Sequence, residues 1–248
     1  MTLSEFFRKN PSFAVAVSGG VDSSYLICAA QKAGVSVKGY YVKSQFQPEF
    51  ETQDLLRLAR DFSLNIEIMQ ADVLSDGSVS QNPPNRCYYC KKLIFNQIIQ
   101  KAKNDGFLTV CDGTNASDDI DDRPGMRALE ELGVLSPLRI CGIIKDEIRE
   151  LSRQIGLFTA EKHAYACLAT RVKTGQKIDL QILKKIEKSE TELFALGFAD
   201  FRVRAVGNCA RLQIRENDFS LLANNRAAVS KILSENFDDV VLDLKTLR

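Results

Sequence analysis

The sequence predicts an α/β protein: a parallel-sheet domain over residues 1–170, followed by a smaller α+β domain over residues 171–248. Two observations carry this. In the first part, continuous apolar runs alternate with amphipathic helical patterns, the signature of a parallel sheet covered on both faces. After Arg171 the order becomes helix, strand, strand, helix, strand, which suits a compact α+β module. At 248 residues the chain can bury roughly three-quarters of its unfolded surface, enough for both cores.

Each element has its own warrant. FAVAV is an unbroken apolar run and reads as the first strand. A helix follows from about Asp22 to Lys32. VSVKGYYV and NIEIMQ read as strands on either side of the helix ETQDLLRLARDF. LIFNQIIQKAKNDG reads as a helix stopped at Gly106, and LTVCDG as a buried strand. PGMRALEELG starts on proline and stops on glycine, and KDEIRELSRQIG is a second short helix. The second domain comprises a long helix around LQILKKIEKSETELFALG, the alternating strands FRVRAV and CARLQI, a helix near NDFSLLANN and a final VVLDL.

Composition excludes little but points one way. With 33 basic against 32 acidic residues, net charge gives no reason to expect nucleic acid as a partner. The N-terminus lacks a signal-peptide core and no apolar run reaches a membrane span, so a cytoplasmic protein without membrane contact is expected. Seven cysteines without regular spacing read as thiols or ligands rather than as a disulfide framework.

The strongest local motif is SGGVDSS, from Ser18 to Ser24, between the first strand and the first helix. Gly19 and Gly20 allow a tight turn that points amides inward, while the helix N-terminus and the hydroxyls of Ser18 and Ser23 complete an anion cradle. A carboxylate inside such a cradle, Asp22, makes sense when Mg2+ also binds. Gly-Lys-Ser/Thr is absent, so this is not a Walker A loop. The string resembles the PP-loop of the ATP pyrophosphatases, with their adenine nucleotide alpha hydrolase-like fold, which cleave ATP to AMP and pyrophosphate. The resemblance implies activation of a substrate oxygen by adenylation.

The cysteines fall into two sets. Cys28, Cys111, Cys141 and Cys209 lie in apolar or element-forming segments and read as packing thiols. Cys87 and Cys90 in NPPNRCYYCKK, and Cys167 in EKHAYACLATR, lie in polar segments flanked by Arg86, Lys91, Lys92 and Arg171, which favour thiolates. Three thiolates could hold a 4Fe-4S cluster or, with His163, a zinc ion. Arg202 and Arg204 alternate on a strand, so both guanidiniums point to one face, where they could grip a phosphate.

PPNRCYYCKKLIF, CDGTNASDDIDDRPGMRALEELGVLSPL, KDEIRELSRQIGL, CLATR and FRVRAVGNCARLQI resemble, in order, the motifs of the LarE family from about residue 13 to 215. These are ATP-dependent sulfur transferases of nickel-pincer nucleotide biosynthesis. The resemblance implies as substrate a small nucleotide, pyridinium-3,5-biscarboxylic acid mononucleotide, whose carboxylates become thiocarboxylates. One style of the family sacrifices a single cysteine sulfur; the other holds a 4Fe-4S cluster on three cysteines, and Cys87, Cys90 and Cys167 match the second. The resemblance further places Lys91 beside the reacting centre and Gly113 and Thr114 at the nucleotide. It puts Asp118 with Asp22 at the Mg2+, with Asp121 in the same acidic stretch. Arg171, Glu190, Arg202 and Arg204 fall at the substrate.

The resemblance also implies a hexamer, with replacement sulfur from a donor protein or free sulfide. The chain departs from the family where His163 follows Lys162, where Thr170 replaces serine and where RVKTGQ replaces RIPYG. The competing expectations are a thiolation enzyme acting on tRNA or another small molecule, a PP-loop synthetase with structural zinc, and a nucleotide-sensing partner protein.

Overall fold

The computed structural model describes residues 1–119 and 124–247. In chain order the elements are α1 (Leu3–Lys9), β1 (Ser12–Ala16), α2 (Val21–Lys32), β2 (Ser36–Lys43), α3 (Glu49–Asp61), β3 (Ile66–Gln70), α4 (Gly77–Ser80), α5 (Arg86–Asn104) and β4 (Val110–Cys111). Then come α6 (Pro124–Glu131), α7 (Pro137–Ile140), α8 (Lys145–Gln154), α9 (Leu180–Ala195), β5 (Phe201–Val206), β6 (Cys209–Ile214), α10 (Phe219–Asn224), α11 (Arg226–Ser234) and β7 (Asp239–Leu242). Short 3-10 turns span Phe158–Glu161, Leu168–Arg171 and Glu216–Asp218. The chain divides into two compact units: Met1–Val73 with Asn85–Ala164, and Leu74–Pro84 with the chain from Tyr165 onward.

The first unit is built on a parallel sheet of order β3-β2-β1-β4. Phe13, Ala14 and Val15 of β1 and Tyr40, Tyr41 and Val42 of β2 are buried in succession, as strands covered on both faces require. Gly39 is needed in that packing, because a Cβ there would stand 2.8 Å from the Ile27 side chain. Chain order reverses at β1, which has β2 on one side and β4 on the other. The loops leaving β1 and β4 therefore open on the crevice where open α/β sheets bind ligands. The sheet thus places Ser18–Ser23 beside Asp112–Asp118.

One expectation needs correction here. Cys87 and Cys90 do not sit in a loop: α5 begins at Arg86, not near Leu93, and both belong to its first turns. Cysteine and tyrosine are weak helix formers, so RCYYC following two prolines conceals the helix start. Their spacing of three places both thiols on one helix face.

The second unit is a three-stranded sheet of order β5-β6-β7, antiparallel between β5 and β6 and parallel between β6 and β7. Phe201, Val203 and Ala205 of β5 are buried and alternate with Arg202 and Arg204, the period-2 pattern of a half-covered sheet. Helix α9 closes the core with Leu183, Ile186 and Leu193. Asn82, buried and at φ 54, donates to the carbonyls of Val172 and Lys173, tying the 74–84 segment into this unit. Among the described residues no helix is long and apolar enough to cross a membrane.

Candidate active site

The β1–α2 loop is wound around two serines. The Ser18 amide donates to Ser23 Oγ at 3.1 Å, the two hydroxyls lie 3.2 Å apart, and the Gly20 amide donates to Ser18 Oγ at 3.3 Å. Gly19 takes φ +77, a region costly for side chains with a Cβ. The N-cap of α2 is Gly20, with no side-chain cap. The first amides of α2 therefore have no capping side chain and face the crevice with the helix's positive end, a ready anion site.

Gly113, two residues past β4, makes the crevice this tight. A Cβ there would lie 2.7 Å from the Ser23 amide nitrogen and 2.9 Å from Ser23 Cα. Gly113 thus lets the two backbones approach closely. Thr114 donates its hydroxyl to the buried Asp112, which also accepts from Ser136 Oγ at 2.7 Å. Beyond it, Asn115, Ser117 and Asp118 form a hydrogen-bonded turn in which the Asn115 amide donates to Asp118 Oδ2 at 3.0 Å. Arg139 fixes that turn by donating to the Asp118 carbonyl at 2.8 Å. Asp121 lies outside the described residues.

Asp22 is the electrostatic centre of this unit. Lys145, at the start of α8, donates to Asp22 Oδ2 at 2.6 Å, while Asp22 Oδ1 is buried without a hydrogen-bond partner. Burial, foremost, holds the Asp22 carboxyl above its ordinary value; Lys145 opposes this, and Asp118 adds to it. An orphaned buried carboxylate oxygen with a second carboxylate close enough to repel it suits Mg2+, which takes one or two carboxylates and completes its shell with phosphate oxygens and water. In neither unit, among the described residues, do three or more His, Cys, Asp or Glu side chains gather as a protein-only metal cage.

Lys145 is the residue that sequence reasoning overlooked. KDEIRELSRQIGL signalled a helix, and only the topology brings its first residue to the carboxylate of the first loop. Arg149, one turn later, donates to the Lys162 carbonyl at 3.0 Å and to that of Ala160.

On α5, Cys87 is exposed and Cys90 half-buried. The buried Arg86 donates to Cys87 Sγ at 3.5 Å and lies over the Phe46 ring. Lys91 runs across the start of α6, where a Cβ on Gly125 would come 3.0 Å from its Cδ. Two thiols on one helix face with a guanidinium beside them fit a soft, anionic cluster. His163 is exposed in the same unit.

In the second unit Cys167 is half-buried and precedes the turn Leu168–Arg171. Arg171 and Glu190 are both about 1% exposed and form a two-pronged ion pair: Nε to Oε1 at 3.0 Å and Nη2 to Oε2 at 3.1 Å. Arg204 donates to the Thr170 carbonyl at 2.8 Å and to Gln213 Oε1 at 3.1 Å, and Arg202 pairs with Asp200 at 3.0 Å. Arg204 is held below the usual arginine value, by burial first and then by Arg171, Arg211 and Arg202. Such crowding of like charge is relieved by a bound anion. The second unit thus gathers Cys167, Arg171, Glu190, Arg202 and Arg204, and the first gathers Ser18–Ser23, Gly113, Thr114 and Asp118, with Cys87, Cys90 and Lys91 on α5.

No protein-family model matches the chain. It is 30% identical over 239 residues to the pyridinium-3,5-bisthiocarboxylic acid mononucleotide synthase of Lactiplantibacillus plantarum, covering 94% of this chain and 86% of that protein. It is likewise 30% identical to an uncharacterized protein of Methanocaldococcus jannaschii, over 97% of this chain and 92% of that one. Similarity to the tRNA-specific 2-thiouridylase of Thermotoga maritima is 24% over 60% of this chain and 53% of the relative.

Proposed function

The chain belongs to the pyridinium-3,5-bisthiocarboxylic acid mononucleotide synthase family, the LarE family, and from that premise we propose that it is an ATP-dependent sulfur transferase acting on the pyridinium-3,5-biscarboxylic acid mononucleotide. The observation that carries the chemistry is the first-unit crevice, where an uncapped helix start and an orphaned carboxylate oxygen adjoin. That pairing supports binding of a triphosphate together with a divalent cation.

The reaction follows from what a carboxylate lacks. Its charge repels nucleophiles and oxide is a poor leaving group, so a carboxylate oxygen first attacks the α-phosphorus of ATP. The bond from that phosphorus to the β-phosphate bridging oxygen breaks and pyrophosphate leaves. A sulfur nucleophile then attacks the acyl carbon and the bond to AMP breaks, giving the thiocarboxylate. Amides at the start of α2 and the Lys145 ammonium hold charge on the departing pyrophosphate. Asp22 and Asp118 would hold Mg2+, which when bound screens the phosphate oxygens. Arg202 and Arg204 hold the phosphate of the substrate mononucleotide in forked hydrogen bonds.

Cys87, Cys90 and Cys167 would hold a 4Fe-4S cluster, which when bound supplies sulfide as a soft nucleophile renewable by free sulfide or a donor protein. The reading rests on the family resemblance and on Cys87 and Cys90 sharing one turn of α5. The same reading includes assembly into a homo-oligomer, the hexamer of the family.

One experiment tests the function. The anaerobically purified protein is incubated with the biscarboxylic mononucleotide, MgATP and sulfide, and the product's mass and AMP are measured. Oxygen-for-sulfur exchange with matching AMP is expected; AMP release that requires tRNA instead overturns the substrate. Iron and labile sulfide in the wild type, lost in Cys87→Ala and Cys167→Ala, are expected, and stoichiometric zinc without labile sulfide overturns the cluster.

A further inference from the structure

The buried ion pair of the second unit is poorly explained as a source of stability. Taking a guanidinium and a carboxylate wholly out of water costs about what their attraction returns, and apolar replacement of such pairs is often neutral or favourable. The remaining hydrogen bonds of the pair show another purpose. Arg171 Nη1 donates to the Ala166 carbonyl at 2.7 Å and to Thr170 Oγ1 at 2.9 Å, and Thr170 Oγ1 in turn donates to the Cys167 carbonyl at 2.8 Å. Glu190 Oε1 accepts from the Val203 amide at 2.8 Å and Oε2 accepts from the Tyr165 hydroxyl. The Tyr165 ring lies against Arg171, 4.4 Å from centroid to guanidinium carbon, and 5.9 Å from that of Arg202. Arg204 closes the circuit at the Thr170 carbonyl.

The segment from Lys162 to Cys167 has no regular secondary structure. From Tyr165 to Cys167 it is held by these side chains, beside the packing of the buried Leu168 and Ala169 in the turn that follows, and the other ends of the same bonds rest on α9 and β5. We propose that Tyr165, Arg171 and Glu190 form a positioning clamp that locks Cys167 to strand β5, so that the sulfur-bearing residue and the paired arginines move as one body. The clamp rests on the function proposed above, in which Cys167 serves sulfur transfer and Arg202 and Arg204 hold the substrate phosphate. Its effect is to fix the distance from phosphate to sulfur. Arg171 and Glu190 are then positioning residues, too deeply buried and too fully bonded to touch substrate. Tyr165 joins them as the lid on the pair.

The test compares Tyr165→Phe, Glu190→Gln and the apolar double replacement Arg171→Met with Glu190→Leu in the full-length protein. Amide hydrogen exchange of the 165–171 peptide is read in metal-free protein, and kcat and KM for ATP in reconstituted protein. The double variant is expected to melt several degrees early, because the Val203 amide and the Tyr165 hydroxyl lose their acceptor, and beyond that global loss to lose about tenfold or more of the protection of that peptide. Its kcat is expected to fall about 100-fold, as misplacement by an ångström can cost, while KM for ATP, bound in the other unit, stays unchanged. Unchanged exchange and kcat in a folded double variant overturn the clamp.

Should the double variant not fold, Tyr165→Phe decides, since it removes one hydroxyl at a half-buried site. Local loss of protection and a lower kcat support the clamp, and wild-type values of both overturn it. Full turnover by Cys167→Ser would refute the role of Cys167 in sulfur transfer, whereas the exchange readout scores the clamp regardless.

Discussion

Lys145 and Asp22, separated by 123 residues in sequence, meet at 2.6 Å in the crevice where the strand order reverses. The ammonium occupies one carboxylate oxygen and leaves the other buried without a partner. Because burial raises the Asp22 pKa in the folded state, the folded protein holds that proton more tightly than the unfolded chain. Ligand-free stability from this group is therefore greatest at low pH and falls as pH climbs from the ordinary carboxylate value through the raised folded one. Where the carboxylate is charged it is a burden that Mg2+, under the proposed function, would relieve. Asp22→Asn is expected to leave the ligand-free Tm no more than about 2 °C below wild type, while weakening MgATP binding at least about 100-fold. Calorimetry with and without MgATP checks both. A variant that melts early yet binds MgATP normally would show the carboxylate to be structural.

Gly113 makes the sharpest steric prediction. An alanine methyl would meet the backbone of Ser23, at 2.7 Å from its nitrogen, and backbone cannot rotate aside as a side chain does. Gly113→Ala should cost about 1–3 kcal/mol of stability and displace the loop that cradles phosphate. Urea unfolding and ATP titration should both register the change. Gly20→Ala, whose methyl would stand 3.4 Å from Ser18 Oγ, should be milder. Equal effects at the two positions would contradict the close approach.

The thiols should separate by reactivity. Burial pushes the Cys28 thiol up to about 12 and raises Cys111 as well, where the neighbouring Asp112 adds to the effect. Thiolate is the reacting form, so at pH 8 both should resist iodoacetamide in the folded, metal-free protein. Cys87, exposed beside Arg86, should react first. Peptide mapping by mass spectrometry gives the order; early labelling of Cys28 or Cys111 would contradict their role as packing thiols.

The readable parts of this chain were those in which local chemistry agrees with the fold. FAVAV and the GYYV end of VSVKGYYV are buried on both faces and their apolar residues say so, and SGGVDSS announces a strand-to-helix turn by its glycines. The unreadable parts depend on distant partners. The start of α5 lies among poor helix formers, so the face shared by Cys87 and Cys90 was hidden. Lys145 resembles any exposed lysine opening a helix until β1 and β4 bring α8 to the loop. Arg171 and Glu190 are placed at the substrate by the family resemblance alone, and nothing local marks them for burial, since charged residues are rarely buried completely. What makes their burial possible is mutual pairing plus four further hydrogen bonds from each other's surroundings, none of which sequence spacing encodes.

The arginines of β5 should divide binding from turnover. Arg202 bonds Asp200 and the carbonyl of Phe201 and meets the Cys167 segment at the face of the Tyr165 ring, whereas Arg204 hydrogen-bonds that segment directly at the Thr170 carbonyl. Losing one arm of a forked phosphate grip costs on the order of 1.5–3 kcal/mol. Arg202→Ala should therefore raise KM for the mononucleotide about 10- to 100-fold with little change in kcat. Arg204→Ala should raise KM similarly and lower kcat as well, because it also frees the turn after Cys167. In the wild type, phosphate should raise Tm by offsetting the burial and, after it, the crowding of Arg171, Arg211 and Arg202 that hold Arg204 down, and Arg204→Gln should lose most of that gain. Steady-state kinetics in both substrates and a phosphate melting series check this, and a pure kcat defect in Arg202→Ala would place that guanidinium at the reacting carbon instead of the phosphate.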